Sequence, residues 1–343
     1  MRRETTFCPA FCDRPRFHPA GISVLDLLIS ISLVGLLLSL LVPAVQQARE
    51  RARQVACKNN LRQLATAAHA HLSSHRTFPY TSTVWSDNTS QYLAISPHRH
   101  LTAFLDPNVF DQVDFQDPTT PGWTLGRPDF FSGSNRMLSR VAVPVFACPS
   151  DSVTQGSVSY RANLGISVEL LPPSDSIEEI AQRGAFVNGR AVRPAEFSHG
   201  MSNTALFSER VTGDERSESF DPFRDIFAVT RLRGDQSTAS MDRICQQTAS
   251  TQPEAEFSFQ GATWLLGGYS NTWYNHVRTP NSVHPDCAMG PKIVDGGPSI
   301  LSARSLHPGG VNVMMADASV TFTSSSIDGN VWKALGTRNG PSD

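Results

Sequence analysis

The sequence predicts an α+β protein: a long N-terminal helix packed on a mainly antiparallel β head. Three observations predict it. An apolar run over residues 22–45 passes directly into a stretch with helical spacing. After residue 80, Gly, Pro, Ser, Thr and Asn become frequent, as in short strands joined by turns. Near the end, "HPGGVNVMMADASVTFTSSSID" carries two alternating runs around Asp317-Ala318, which reads as a β-hairpin over 311–323.

Residues 1–20 are polar, and Pro9, Pro15 and Pro19 argue against a helix there. In the next 24 residues, 22–45, Asp26 is the only charge. A run of that length crosses a hydrocarbon core of about 30 Å as a helix. It is longer than the apolar region of a cleaved secretory signal, and no A-x-A site follows. The stretch "QQARERARQVACKNNLRQLATAAHAHLSSH" then keeps helical rhythm. Val45, Ala48, Ala52, Val55, Leu61, Leu64, Ala65, Ala68 and Leu72 recur at spacings near three and four. One helix from 22 to 75 is expected, roughly 80 Å long at the α-helical rise. Pro43 is expected to kink or locally melt it.

In the head, Val311, Val313 and Met315 alternate with Asn312 and Met314, and Val320 and Phe322 alternate with Ser319, Thr321 and Thr323. Gly at 318 would suit the positive φ of a type I′ turn better than Ala318 does. "IDGNVWKALGTR" reads as a short terminal helix. The chain of 343 residues has room for one large domain or two small ones, and no internal repeat or clear linker divides the head. With 40% hydrophobic and 17% charged residues it is not disordered by composition. Its net charge of −2 gives no case for nucleic acid as a partner.

Candidate sites are sparse. His69, His71 and His75 lie on the expected helix, with His98 and His100 following. His71 and His75, four apart, offer one face to a metal, but no HExxH accompanies them. Cys8 and Cys12 form a lone CxxxC without a second pair at zinc spacing, so no metal is expected. Ser198-His199 with Asp151 lacks the context of a nucleophilic triad. "GGVNVMMAD" lacks the Lys-Ser/Thr of a phosphate loop, so no cofactor and no enzyme activity are expected. Trp264, Tyr269, Trp273 and Tyr274 make either an aromatic ligand platform or core. His307, before Pro308-Gly309-Gly310, is expected to fix the hairpin entrance by bonding Asp317.

"GISVLDLLISISLVGLLLSLLVPAV" resembles the N-terminus of type IV pilins and type II secretion pseudopilins. Gly21 ends the leader, Ile22 is the first mature residue, Asp26 is fifth and Pro43 is twenty-second. The family usually has Glu at the fifth place and Phe at the first, so Asp26 and Ile22 are departures. The rest resembles a group of large-headed, pilin-like bacterial proteins of unknown function. Its blocks here are "PAVQQARERARQVACKNNLRQLATAAHAHLSSHRTFP", "VFACPSD", "FSHGMSNTALFSER" and "HVRTPNSVHPDC". Its end motif, His followed after nine residues by Asp-Gly, is met by His307 and Asp317, with Ala318 replacing the glycine.

The resemblance implies a leader over 1–21, a transmembrane helix over 22–45, an amphipathic stem over 46–78 and an extracytoplasmic head over 79–343. It implies prepilin peptidase, other pilin-like subunits and the inner membrane as partners, with the head in the periplasm or at the cell surface. The ligand stays open. The span's flanking charges do not set this orientation, because basic residues precede and follow it. A carboxylate within the bilayer costs roughly 2.5–3.5 kcal/mol on insertion scales. Pairing with the amine freed at Ile22 offsets that cost, which implies an assembly role for Asp26, with Pro43 as a bend. The alternative is a membrane-tethered binding module for a glycan or exported protein that does not polymerise. With the head outside, Cys57, Cys148, Cys245 and Cys287 allow two disulfides. Cys245 with Cys287 is the more local pair, which leaves Cys57 with Cys148, although spacing alone does not fix connectivity.

Overall fold

The computed structural model describes residues 23–86, 91–116, 133–151, 156–168, 182–216, 220–229, 237–251, 256–289 and 298–340. The chain divides into two compact units, 1–49 and 50–343. Helix α1, Val24–His75, contributes residues to both. In the first unit its apolar side chains are exposed, among them Leu33, Leu36, Leu40 and Val45. The helix is long and apolar enough to cross a membrane.

The helix starts on a local cap. The Leu25 N–H donates to Ser23 Oγ at 3.3 Å, and the Ser23 N–H donates to Asp26 Oδ2 at 3.3 Å. This reciprocal arrangement satisfies two of the donors that a helix start leaves orphaned. The helix continues through Pro43, so the local melting expected there does not occur. The ring already holds φ near the helical value, and only one backbone bond is forfeited.

In the second unit α1 buries Cys57, Leu61, Leu64, Ala65, Ala67, Ala68 and His71. This corrects the expected stripe, since Val45, Ala48, Ala52 and Val55 are exposed. Val55 is two residues, or about 200°, from Cys57 around the helix, on the opposite side. Carried backward by about three turns, the buried stripe passes from Leu61 through Cys57 to Glu50.

The strands are β1 (Ser82–Ser86), β2 (Gln91–Ile95), β3 (Tyr160–Asn163), β4 (Ala205–Glu209), β5 (Ile226–Val229), β6 (Glu256–Phe257), β7 (Trp273–Tyr274), β8 (Asp286–Met289), β9 (Ser299–Ile300), β10 (Gly310–Met315) and β11 (Val320–Ser324). β1 and β2 pair as a hairpin, and the others form sheets ordered β11-β10-β4-β3-β7 and β6-β5-β8-β9. Pairing is antiparallel except between β3 and β7 and between β5 and β8. The further helices are α2 (Pro97–Leu105), α3 (Pro107–Phe110), α4 (Asn135–Leu138), α5 (Thr238–Thr251) and α6 (Gly329–Gly336).

All six residues of β10 are buried, because both faces of the strand are covered. Val311, Val313 and Met315 pack with Trp332 of α6, whereas Met314 joins the main core with Leu64, Phe146, Phe207 and Trp264. The hairpin turn has three residues rather than the expected two. The Met315 N–H donates to the Ser319 carbonyl at 2.8 Å, and the Ala318 N–H donates to the Met315 carbonyl at 3.1 Å. Ala318 has φ +74°, the left-handed position that closes such a turn. Helix α6 is the short terminal helix expected, capped where Asp328 accepts the Asn330 and Val331 N–H groups.

Candidate functional site

The stripe on α1 ends at Glu50, and Glu50 opens the candidate site. Its Oε1 accepts from His307 Nδ1 at 2.7 Å. Its Oε2 accepts from Arg53 Nε at 2.8 Å, and Ser150 Oγ donates to Oε1 at 3.2 Å. The other ring nitrogen, His307 Nε2, lies 3.3 Å from Glu209 Oε1 and 3.5 Å from Cys148 Sγ. Cys148 is joined to Cys57 of α1 by a disulfide, with Cα atoms 5.0 Å apart.

Each part is positioned by a regular element. Glu209 ends β4, and its carboxylate accepts from the Asn312 N–H at 2.7 Å and from Asn312 Nδ2 at 2.9 Å. Asn312 points to that side because it alternates with the residues that face Trp332. Cys148 follows a turn of 3₁₀ helix at Pro144–Phe146, docked on α1 where Asn60 Nδ2 donates to the Ala147 carbonyl at 2.9 Å. Tyr160 of β3 donates its hydroxyl to the Cys57 carbonyl at 3.2 Å.

An imidazole between two carboxylates is favoured in its protonated form. Burial acts to lower the His307 pKa, but the Glu209 hydrogen bond and charge, followed by those of Glu50, outweigh it and raise the pKa. At Glu50 burial acts upward and is outweighed by the bonds from His307, Arg53 and Ser150, so its pKa is lowered. Cys148, Ser150, Asp151, Glu209 and Arg210 line a narrow cleft beside this cluster.

A second buried cluster surrounds Asp286 of β8. Arg210 Nη1 lies 2.7 Å from its Oδ2, Arg304 Nε donates to that oxygen at 3.1 Å, and Arg304 Nη2 donates to Oδ1 at 3.1 Å. Ser302 donates from its N–H at 3.1 Å and its hydroxyl at 2.9 Å. Burial would raise the Asp286 pKa, but the Arg304 and Arg210 charges hold it down to about 2. The adjacent Cys287 is joined by a disulfide to Cys245 of α5, with Cα atoms 5.7 Å apart.

His307 does not bond Asp317. Asp317 Oδ1 instead accepts the Ser319 N–H at 2.9 Å, and the Asp317 N–H donates to the Met201 carbonyl at 3.2 Å. A carboxylate one residue into a tight turn reaches its own backbone before any distant partner. Trp264, Tyr269, Trp273 and Tyr274 are buried to within 1% of full burial, so they are core and offer no platform. His71 and His75 stack with ring centroids 4.2 Å apart, but His71 Nδ1 is engaged by the Thr77 carbonyl at 3.0 Å. His69 Nε2 bonds the Ala316 carbonyl at 2.9 Å. Fully buried His98 bonds the Tyr160 carbonyl at 2.8 Å, and His100 packs with Phe115.

Ser198, His199 and Asp151 form no hydrogen-bonded set. Asp151 Oδ1 is taken by Arg224 at 2.8 Å and Oδ2 by the Thr212 N–H at 2.7 Å, while Ser198 donates to Asn339 at 3.0 Å. Gly21, Ile22, the leader, Cys8 and Cys12 lie outside the described residues. Sequence reasoning missed Glu50, Glu209, Asn312, Asp286, Arg210 and Arg304 as partners. Glu50, Glu209, Arg210 and Asp286 stood inside the conspicuous blocks "PAVQQARERARQ", "FSHGMSNTALFSER" and "HVRTPNSVHPDC", which was the available signal.

A family model described as a protein of unknown function (DUF1559) matches residues 46–330. No curated protein and no solved structure matches the chain.

Proposed function

Because the chain belongs to the DUF1559 family, whose function is unknown, we propose a role from its own residues: a pilin-like or pseudopilin-like structural protein. In this reading prepilin peptidase cuts after Gly21 and methylates Ile22. The subunit is held in the inner membrane by α1 with its head outside, and is then assembled into a pilus or a type II secretion pseudopilus. The observation that carries the reading is the spacing of Gly21, Asp26 and Pro43 along an apolar helix whose side chains from Val24 to Val45 are exposed. A surface of that kind in water would be costly, so it belongs in lipid or against other copies of itself.

Asp26 carries the assembly step. In the uncut chain it caps α1 from within. Once the chain is cut, the Ile22 amine, four residues before Asp26 in the sequence, competes for the same carboxylate, on its own subunit or on the next. Mass spectrometry of the membrane-extracted protein tests the first step. A methylated N-terminus at Ile22 is expected, and an intact Met1 would overturn processing. For assembly, Asp26→Ala should abolish incorporation into filaments while Asp26→Glu retains it. Incorporation that is indifferent to Asp26→Ala would instead favour a tethered binding module.

A further inference from the structure

We propose that the Cys57–Cys148 disulfide closes over a latent metal site: when it is reduced, Cys57, Cys148, His307 and Glu209 bind one zinc-class divalent ion. This stands independently of the pilin-like reading. One ligand atom from each of these four residues lies within 4.8 Å of the others, and all four residues are buried. Two thiolates, an imidazole and a carboxylate are a donor set for a tetrahedral, borderline-soft ion, and the thiolates disfavour magnesium or calcium.

The surroundings are those of a ligand shell. His307 Nδ1 donates to Glu50 at 2.7 Å, which fixes the ring and turns Nε2 toward the cysteines. Glu209 is held by Asn312 through two bonds. A carboxylate behind a histidine and an amide behind a carboxylate are the outer contacts that orient metal ligands. The ligand atoms need only small shifts. Two sulfurs on a zinc-class ion stand about 3.7 Å apart at the usual bond length near 2.3 Å, a separation that side-chain rotation supplies once the S–S bond is gone.

The chemistry balances with a dithiol as reductant. Its thiolate attacks Sγ of Cys148, a residue in the cleft wall, and the S–S bond breaks with its electron pair leaving on Cys57 Sγ. The second thiol of the reductant, as its thiolate, attacks the mixed disulfide and releases Cys148 as a thiolate. The reductant leaves as its own disulfide, two electrons having passed to the protein. Metal binding displaces the protons that remain on the two sulfurs and on His307 Nε2. Oxidation by a disulfide reverses the sequence and expels the ion.

The test uses the full chain in detergent with Cys8→Ser, Cys12→Ser, Cys245→Ser and Cys287→Ser, so that only the proposed thiols remain. Oxidised and dithiol-reduced samples are incubated with zinc, desalted and assayed for bound metal. Cobalt gives a parallel readout, through thiolate-to-metal absorption. The reduced sample should retain one ion per chain and the oxidised sample none. Zinc should raise the melting temperature of the reduced sample alone. Glu50→Gln should weaken retention by about 10–100-fold without abolishing thiolate absorption, whereas His307→Ala and Glu209→Gln should weaken it further. Retention equal in both redox states, or retained in Cys57→Ser/Cys148→Ser, would overturn the proposal. So would a reduced chain that neither keeps zinc nor is stabilised by it.

Discussion

The His307 and Asp286 clusters each bring buried charge beside a disulfide, yet they are completed differently. Asp286 is enclosed: two arginines and Ser302 fill its acceptor positions, with 0% of the carboxylate side chain and 1% of Arg304 exposed. His307 is itself buried, but its partner Glu50 is 22% exposed, and Cys148 beside it lines a cleft. The Asp286 carboxylate has no acceptor position left for a ligand and acts as structure. An ion group that is half open, with soft sulfur at its edge, keeps chemistry in reserve.

The largest effect expected of a single substitution comes from opening the closed cluster. Asp286→Asn leaves Arg210 and Arg304 buried without their anion and should cost about 3–5 kcal/mol. Urea denaturation checks this, and a loss below about 1 kcal/mol would mean that the two clusters do not differ as described.

Acid acts next, through two buried histidines outside both clusters, and spares the Asp286 cluster. Burial pushes the pKa of His98, which packs on Phe146 near Cys148, down to about 3, with its bond to the Tyr160 carbonyl only partly opposing. Burial likewise lowers His276 to about 3. Between the unfolded value near 6.5 and those folded values the unfolded chain holds more protons, so stability is full above about pH 6.5 and falls as pH drops, by up to about 1.4 kcal/mol per unit for each histidine. The Asp286 cluster behaves oppositely in range: its folded pKa is depressed, so its contribution persists above about pH 4 and is lost only toward pH 2. Melting curves from pH 7 to 4 should show the histidine-driven loss in wild type, and His98→Gln should reduce it, with the part owed to His276 remaining.

A smaller effect is expected at the open cluster. Glu50→Ala removes a partly solvated partner from His307 and should cost about 1 kcal/mol once screening is allowed for. The loss should shrink in high salt, unlike that of Asp286→Asn, which salt does not reach. Smallest of all, and away from both clusters, Ala318→Gly should stabilise by about 0.5–1 kcal/mol. Glycine accepts φ +74° without the strain that a Cβ incurs. A destabilised variant in thermal melts would show that the turn does not hold that conformation.

Much of the fold was legible because its signals are local. The helix from 24 to 75, the hairpin around Asp317-Ala318 and the capped terminal helix each rest on residues a few positions apart. Errors arose where a local rule met a distant partner. The stripe through Val45 and Val55 had acceptable helical spacing, but Cys57, tied to Cys148, set which face turned inward. Asp317 was matched to His307 by motif, whereas its own turn claimed it first.

The sequence by itself determined an apolar helix with one early acid, an amphipathic continuation, a head of short strands, and cysteines and a histidine worth locating. Only the tertiary structure decided what that histidine meets. Glu50 lies 257 positions from His307, and Asn312 lies 103 from Glu209. Such contacts carry no periodicity or spacing rule. They exist because β4 and β10 pair in one register and α1 presents one face to them, a choice made by burial of the whole core rather than by any segment of it.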